Sequence, residues 1–409
     1  MIYNIDMKRI TIAVVGGGAS GLIASALLSK YENCSVLLFE RNDRLGKKLS
    51  ATGNGQGNIT HRALSTDDYF AQAAFPEERV SRMLAEYGDD SVCAYLQSLG
   101  VLTDTDGRGR VYPAGKQASS ITDALRFSLR ENVQTHLQTK IVDIRKKDGG
   151  FILTTDKNQS FFADYVLLCT GGKSAKNFGT DGTAYALAER FGHSCTPLFP
   201  SLVQLKTDVG AIRTLKGIRV ADGKVTAQVN GKTITSLQGD IIFTDYGVSG
   251  DAIFRISAYV ADKISQGVTL SLDLLPNYTQ EEIALAMQNK RAAFPDMPFI
   301  ELLGGTLNNQ VGRAVLKTVS SDDILSAAKR VKDFPLTVIG TLGYDYAQVT
   351  KGGIPLAETD ESLQSKLVNG LYFAGETLDI DGACGGYNLQ WAYTSARVVV
   401  DALTAKMDK

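Results

Sequence analysis

The stretch that decides the fold lies near the amino end and reads "TIAVVGGGASGLIAS", Thr11–Ser25. A β-branched run, Ile10–Val15, leads directly into Gly16-x-Gly18-x-x-Gly21, and helix-forming residues follow. In this pattern the first glycine permits a tight turn, the second lets the backbone approach a pyrophosphate, and the third lets the helix pack on the strand. Unpaired N–H groups at the helix start carry a charge of roughly +0.5, which favours an anion. The stretch therefore predicts half of a doubly wound parallel sheet with a phosphate site.

An acidic residue supports this interpretation. Glu40 ends the second predicted strand, Ser35–Glu40, and stands 19 positions after Gly21. A carboxylate at that place accepts hydrogen bonds from the ribose of an adenosine. A glycine turn between strand and helix can also serve packing alone, but strand, helix and acid together favour nucleotide binding. The nucleotide is then NAD or FAD.

The carboxyl end of the chain favours FAD. A predicted strand, Leu371–Ala374, closes on Gly375-Glu376, and a glycine-rich turn leads into a helix from about Tyr387. This arrangement suits a flavin that crosses the sheet, with Glu376 accepting hydrogen bonds from the ribityl hydroxyls. The amides of residues 385–387 would face the flavin pyrimidine edge and stabilise its negative charge. Alone, the segment could be an ordinary surface turn; together with the first motif, it predicts FAD.

Composition limits the remaining possibilities. The chain has 409 residues and a formal net charge of -1, so two or three domains are expected, without global attraction for nucleic acid or an anionic membrane. A local basic patch could still exist. No stretch approaches the roughly 20 apolar residues of a membrane helix, and the amino terminus does not resemble a signal peptide. Five cysteines without any C-x-x-C indicate neither a disulfide framework nor a zinc site. We expect a cytoplasmic protein without a bound metal.

The middle of the chain has a different character. Composition shifts at "TPLFPSLVQLKT", around Pro197 and Pro200, and short alternating runs then predict antiparallel strands, with Asn230-Gly231 as a hairpin turn. Helical periodicity follows, and strand-like character returns after Pro335. An insert with a β part and a helical part is therefore expected.

Six motifs closely resemble the three-domain bacterial FAD proteins that are often called aminoacetone oxidase-like or NAD(P)/FAD-dependent oxidoreductases. They are "VVGGGASGL", "GKKLSATGNGQGN", "GDIIFTDYGVSG", "AQVTKGGIPL", "SKLVNGLYFAGETLDIDG" and "GGYNLQWA". The resemblance runs from about Ile10 to Leu403. It implies an α/β fold with a discontinuous, Rossmann-like doubly wound FAD domain (1–195 and 336–409), an inserted antiparallel β domain (196–275) and a helical cap domain (276–335).

The resemblance leaves the substrate open, because activities attributed to the family include amine oxidation, reduction of conjugated double bonds in steroid acids, and uridine reduction in ribosomal RNA. We expect hydride transfer between flavin N5 and a small organic substrate, as a reductase or dehydrogenase with NAD(P)H as a candidate donor. No second GxGxxG follows a strand, so NAD(P)H would dock directly at the flavin. The alternatives are an amine oxidase that produces peroxide, a flavoprotein that binds and reduces RNA, and a flavin sensor without turnover. The oligomeric state stays open.

One loop departs from the family pattern. Relatives commonly carry Gly-Arg-Cys-Asn where this chain has Gly55-Gln56-Gly57-Asn58. Glutamine offers hydrogen bonds without charge, so we hypothesise an altered substrate choice, which the substrate profile of a Gln56→Arg variant would test. Neutral drift is the alternative.

Candidate site residues follow from these motifs. Because flavin carries the hydride, the protein mainly positions substrate and moves a proton; candidate catalytic residues are Tyr246, Tyr112 and Asn54, with packing as the alternative for each tyrosine. His193 is expected to cap or pack at a helix end. The candidate FAD-binding residues are Gly16, Gly18, Ala19, Ser20, Gly21, Glu40, Arg41, Lys48, Thr52, Gly53, Asn54, Thr170, Gly171, Gly375, Glu376, Gly386, Tyr387 and Asn388.

Overall fold

The computed structural model describes residues 9–320 and 323–407, and the chain forms two compact units. The first unit contains the residues up to Phe199 and those from Val349 onward, and the second contains Pro200–Gln348. The chain thus leaves the first unit and returns to it, as a discontinuous domain does.

From residue 9 onward, where the structure describes the chain, the first passage through the first unit forms eleven strands and five α-helices. The strands are β1 (Ile10–Val15), β2 (Cys34–Phe39), β3 (Thr60–His61), β4 (Tyr69–Phe70), β5 (Thr103–Thr105), β6 (Arg110–Pro113), β7 (Val133–His136), β8 (Ile141–Lys147), β9 (Gly150–Thr155), β10 (Ser160–Ala163) and β11 (Tyr165–Leu168). The helices are α1 (Ala19–Leu28), α2 (Glu77–Glu86), α3 (Asp89–Ser98), α4 (Ala118–Phe127) and α5 (Thr183–Glu189).

The short strand β12 (Phe199–Ser201) crosses the boundary at which the second unit begins. Its strands are β13 (Leu205–Thr207), β14 (Arg219–Val229), β15 (Lys232–Phe243), β16 (Gly247–Ser249), β17 (Val268–Asp273) and β18 (Phe334–Thr341). Its helices are α6 (Asp251–Val260), α7 (Gln280–Ala293), α8 (Asn309–Leu316) and α9 (Ile324–Lys332). The returning chain adds β19 (Val349–Lys351), β20 (Leu371–Phe373), β21 (Asp381–Gly382) and α10 (Tyr387–Met407) to the first unit.

A parallel sheet organises the first unit in the order β20-β11-β1-β2-β7. Residues 12–15 of β1 are buried, as expected for a central strand covered on both faces. The register pairs Val15 with Phe39 on one side and with Leu168 on the other, and Leu168 with Phe373. Because parallel strands end at the same edge, the segments that follow these four residues all begin there. This is the edge where the predicted cofactor motifs should meet.

An antiparallel closed barrel, β13-β16-β15-β14-β17-β18, organises the second unit. The predicted hairpin turn is confirmed: Asn230 and Gly231 have φ values of 50° and 75° and join β14 to β15, as a type I′ turn requires. Barrel side chains such as Leu270 share one hydrophobic core with helical residues such as Met287 and Leu302. The predicted Rossmann-like fold with an inserted antiparallel β part and a helical part is therefore what the chain adopts.

The predicted boundary at residue 336 falls inside β18, which pairs with β17 on one side and β13 on the other. Barrel closure brings Thr341 beside Leu205, and a pairing between such distant residues leaves no local sequence pattern. The division into three domains with the boundaries given above stays a prediction. Within the described residues, no helix combines the length and apolarity needed to cross a bilayer.

Candidate functional site

The three glycines of the first motif have different surroundings. Gly16 has φ +107°, and a Cβ there would lie 2.5 Å from the carbonyl oxygen of Cys169. A Cβ on Gly21 would lie 1.9 Å from the carbonyl oxygen of Gly16. A Cβ on Gly18 would meet no heavy atom within 4 Å. Packing of the chain therefore requires Gly16 and Gly21, whereas Gly18 leaves the backbone open to a ligand.

The start of α1 has the properties of an anion site. Gly18 is the N-cap residue of α1, and no described side chain caps the helix there. The first backbone N–H groups of the helix, starting with those of Ala19 and Ser20, therefore lack a side-chain acceptor. The hydroxyl of Thr170 is buried and has no hydrogen-bond partner among the described residues. Thr170 adjoins the turn, because a Cβ on Gly16 would lie 2.9 Å from its Cα. Uncapped amides and an unsatisfied hydroxyl fit the pyrophosphate of FAD.

Glu40 lies against the same turn. Its Oε2 accepts a hydrogen bond from the amide of Gly17 at 2.9 Å, and its Oε1 accepts from the backbone and side-chain nitrogens of Asn42, each at 2.8 Å. The side chain is almost fully buried. The structure thus brings Glu40 to the glycine turn as the sequence indicated, and its contact with the ribose stays a prediction.

Arg41 is engaged with the protein. It forms an ion pair with Asp181 and donates a hydrogen bond to the carbonyl of Gly179 at 3.2 Å. Burial raises the pKa of Asp181, but hydrogen bonds from Thr183, Arg41 and Lys140 outweigh burial and hold that pKa far below its usual value. Asp181 is therefore an anion that balances the Arg41 guanidinium at neutral pH. A contact of Arg41 with FAD stays a prediction.

The carboxyl end of the chain reaches the first motif. A Cβ on Gly375 would lie 2.6 Å from the hydroxyl oxygen of Ser20, so the two segments are in close contact. The amide of Gly375 donates to Ser395 at 2.8 Å, and its carbonyl accepts from the indole of Trp391 at 3.2 Å. Helix α10 therefore holds Gly375 at the start of α1.

Two predicted FAD-binding residues form an ion pair. The Lys48 ammonium lies 2.9 Å from Oε2 of Glu376. The other carboxylate oxygen, Oε1, accepts from the backbone amide of Thr350 at 2.7 Å. The carboxylate of Glu376 is thus held on both oxygens. Sequence reasoning missed Thr350, although it stands in the quoted motif "AQVTKGGIPL".

The loop that departs from the family pattern has several residues in the left-handed backbone conformation. Gly53, Asn54 and Gly55 have φ values of 57°, 55° and 83°, and the side chain of Asn54 is exposed. The Thr52 hydroxyl donates to a neighbouring carbonyl within the loop. Gly57 has φ +76°, and a Cβ there would lie 2.8 Å from the Cα of Ala118. The cysteine of the family pattern therefore does not fit this loop unless the backbone moves.

The turn before α10 is held by its own side chains. Gly386 has φ +105°, and a Cβ there would lie 2.5 Å from the carbonyl oxygen of Thr60. The ring of Tyr387 stacks on His61 with centroids 5.2 Å apart. Asn388 accepts from the amide of Gly382 at 2.8 Å and donates to its carbonyl at 2.7 Å. Asn388 therefore shapes the turn, and its contact with flavin stays a prediction, as does that of Gly171, which has φ +71°.

Comparison with known proteins agrees with this geometry. Residues 10–402 match the family described as HI0933-like protein Rossmann domain. The chain belongs to this family. As an HI0933-like protein it is an FAD-dependent oxidoreductase, and the residues that surround the glycine turn fit the cofactor.

Three relatives are similar to this chain over nearly its whole length. It is 32% identical over 403 residues to the 3-dehydro-bile acid delta(4,6)-reductase of Clostridium scindens, covering 94% of this chain and 96% of that protein. It is 27% identical over 414 residues to the ribosomal RNA dihydrouridine synthase of Escherichia coli, and the match covers 98% of this chain and 99% of that protein. It is 28% identical over 404 residues to the ribosomal RNA dihydrouridine synthase of Haemophilus influenzae, and the match covers 94% of this chain and 96% of that protein.

The candidate catalytic residues are divided between the two units. Tyr112 lies in β6 of the first unit, where burial raises its pKa and the nearby Arg110 opposes that rise. Asp106 and Cys384 add smaller electrostatic contributions that raise the pKa of the Tyr112 phenol further. Tyr246 lies in the second unit between β15 and β16, and burial raises its pKa as well. Both phenols are therefore neutral near pH 7, and the catalytic roles of Tyr112, Tyr246 and Asn54 stay predictions.

A cavity of about 290 Å³ in the first unit was not indicated by the sequence. Its buried members are Tyr69 and Lys351, and the Lys351 ammonium lies 5.7 Å from the ring centroid of Phe70. The carboxylates of Asp67 and Glu77 lie at its exposed rim.

The buried His193 is at the centre of a polar cluster. Its Nδ1 lies 2.7 Å from Oε2 of Glu358, and its Nε2 lies 2.7 Å from the hydroxyl of Ser365. The order serine, histidine, acid is that of a hydrolase triad, but Ser365 is only 3% exposed and its oxygen also accepts from the amides of Leu367 and Val368. A substrate cannot reach this oxygen. The cluster packs the helix end, as the sequence predicted for His193.

This cluster gives a prediction for pH dependence. Burial raises the pKa of Glu358, but hydrogen bonds from Ser194 and His193 outweigh burial and lower that pKa below its usual value. The stabilising contribution is therefore complete above the unfolded-state pKa and is lost as the pH falls through the folded-state pKa. We expect Glu358→Gln to reduce the free energy of unfolding by about 1–3 kcal/mol near pH 7, and by less near pH 3.5, which is below the ordinary glutamate pKa of about 4.3.

Urea unfolding of the wild type and of Glu358→Gln, each near pH 7 and near pH 3.5, measures how much free energy of unfolding the substitution removes at each pH. The matched control is Glu361→Gln, because the Glu361 side chain is 74% exposed and its shorter ion pair, 3.0 Å to Arg82, lies at the surface, where ion pairs contribute little; its distance to Arg79 is 4.0 Å. An equal loss from Glu358→Gln at both pH values would contradict the assignment.

Proposed function

We propose that this enzyme reduces a carbon–carbon double bond conjugated to a carbonyl group in a small organic molecule, with NAD(P)H as the electron donor. The relative with 32% identity is named as a reductase of a 3-dehydro-bile acid. The two other relatives are named for forming dihydrouridine, which is also a reduction of a ring double bond. Reduction of a conjugated double bond is the chemistry that these names share.

The observation that carries the proposal is the contact of Gly375 with Ser20, which joins the two cofactor motifs at one edge of the sheet. Bound FAD supplies the hydride-transfer chemistry. The residues of the chain then have to hold the substrate and move one proton. We assign the proton to Tyr112, because its phenol stays protonated near pH 7 and interacts electrostatically with Cys384, the residue immediately before the turn at residues 385–387.

The test is anaerobic titration of the purified yellow protein. We expect NADH or NADPH to bleach the flavin absorbance and an α,β-unsaturated ketone to restore it. Bleaching by amines, with peroxide released when oxygen is admitted, would favour the amine oxidase instead. No response to a panel of unsaturated ketones would contradict the proposal.

The proton donor has its own prediction. We expect Tyr112→Phe to slow reoxidation by the unsaturated ketone roughly 10²- to 10⁴-fold, while bleaching by NAD(P)H keeps its rate, because only the first of these reactions needs a proton at carbon. Tyr165→Phe is the matched control, since Tyr165 begins β11 at the opposite end of the strand from the glycine turn. Equal rates for Tyr112→Phe and wild type would remove Tyr112 from the mechanism.

Reduction of uridine in ribosomal RNA is a second candidate, because the relative named for it covers 98% of this chain. The net charge of -1 provides no general attraction for RNA, so a local basic surface would be needed. Nucleic acid that copurifies and is removed by salt, together with dihydrouridine formed in ribosomal RNA, would favour this candidate over the small-molecule reductase.

A further inference from the structure

Thr350 ties three segments of the first unit together. Its hydroxyl oxygen accepts hydrogen bonds from the amides of Lys173 and Ser174 at 2.8 and 2.9 Å and shares a third, at 2.9 Å, with the Ser174 hydroxyl. Its own amide donates to Oε1 of Glu376 at 2.7 Å. The side chain is 1% exposed. One threonine thus connects β19, the loop after β11 and the carboxylate that follows β20.

The packing at this place leaves little freedom. A Cβ on Gly172 would lie 2.5 Å from the hydroxyl oxygen of Thr350 and 2.7 Å from Oε1 of Glu376. The second oxygen of Glu376 is held by Lys48 at 2.9 Å. The carboxylate is therefore clamped between a backbone amide, an ammonium group and the chain at Gly172, so any shift of β19 moves it.

We propose that Thr350 is a positioning residue for FAD: it sets the place of the Glu376 carboxylate and of the backbone at residues 172–174. This inference rests on the proposed contact between Glu376 and the ribityl chain. Removing the Thr350 hydroxyl takes an acceptor away from the amides of Lys173 and Ser174, and because Ser174 is buried this loss is costly unless the chain moves. That movement displaces the Thr350 amide from Glu376 and weakens FAD binding.

The test compares Thr350→Val with Thr350→Ser, which keeps the hydroxyl. We expect Thr350→Val to raise the Kd for FAD about tenfold, which is the equivalent of one hydrogen bond, and Thr350→Ser to stay within about threefold of wild type. The Kd is measured by adding FAD to the FAD-stripped protein and following flavin fluorescence. In Gly172→Ala, the added Cβ would be too close to the Thr350 hydroxyl oxygen and to Oε1 of Glu376, so we expect this variant to bind FAD more weakly as well.

Thr155→Val is the matched control. Thr155 is also completely buried, and its hydroxyl accepts from the amides of Lys157 and Gln159 at 3.3 and 3.1 Å, but it lies in the separate sheet β10-β9-β8. We expect Thr155→Val to lower the unfolding midpoint of the FAD-stripped protein without changing the Kd. If Thr155→Val weakens FAD binding as much as Thr350→Val, or if Thr350→Val binds like wild type, the proposal is overturned.

A double-mutant cycle with Glu376→Ala separates the two assumptions. If Thr350 acts through Glu376, Thr350→Val adds little to the Kd once the carboxylate is gone. Full additivity overturns the positioning role and leaves the contact of Glu376 with FAD intact. An unchanged Kd for Glu376→Ala alone overturns that contact, and the inference with it, but leaves the oxidoreductase assignment standing.

Discussion

Gly18→Ala is expected to give a protein that folds normally and fails to retain FAD. A Cβ at Gly18 meets no protein atom within 4 Å, so the FAD-free fold tolerates the methyl group. The backbone there has φ -75°, which alanine adopts without strain. The methyl group would occupy the space through which the backbone approaches the pyrophosphate. We therefore expect the Kd for FAD to rise by about 100-fold or more, equivalent to about 2.7 kcal/mol.

Two measurements check this expectation. The ratio of flavin to protein after purification reports retention, and the unfolding midpoint of the FAD-stripped protein reports the fold. Gly107→Ala is the control, because a Cβ on Gly107 also meets nothing within 4 Å and this residue lies in the turn before β6, outside the glycine motif. If the Gly18→Ala protein purifies with a full complement of flavin, the pyrophosphate does not bind at the start of α1.

Gly21→Ala is expected to damage the fold itself. A Cβ on Gly21 would lie 1.9 Å from the carbonyl oxygen of Gly16 and 3.1 Å from the Cβ of Cys169. Backbone atoms cannot yield as a flexible side chain does, so α1 must move away from β1. Overpacking of this kind costs typically about 1–3 kcal/mol, and occasionally more, and we expect the upper end of that range.

The comparison with Gly18→Ala makes this prediction specific. We expect Gly21→Ala to lower the unfolding midpoint of the FAD-stripped protein, whereas Gly18→Ala leaves that midpoint unchanged. Both variants lose FAD, one because the cofactor is blocked and the other because the helix that binds it is displaced. Equal midpoints for the two FAD-stripped variants would contradict the difference in packing that the structure shows.

Much of the fold and part of the site could be predicted from the sequence. The strand Ile10–Val15 has the predicted bounds, and Glu40 lies at the glycine turn. These features depend on residue types at short spacings, because a tight turn needs glycine and a buried strand needs a run of apolar residues. The Asn230-Gly231 hairpin was predictable for the same reason, since both residues must adopt positive φ.

Other features depended on residues that are far apart in the chain. Lys48 and Glu376 are separated by 328 positions, and His193 and Glu358 by 165. The sequence suggested that Lys48 and Glu376 each serve the cofactor, but it contained no sign that they pair. Barrel closure by β18 was missed because its partner β13 lies on the far side of the inserted segment.

The sequence by itself determined the doubly wound fold, the FAD motifs and the membership of an oxidoreductase family, because each of these is written in local patterns. The tertiary structure alone decided that Gly18 faces open space while Gly21 touches backbone, and that Thr350 holds Glu376. The physical reason is that a hydrogen bond or a steric contact depends on where packing places two atoms, and packing is a property of the whole chain rather than of any segment.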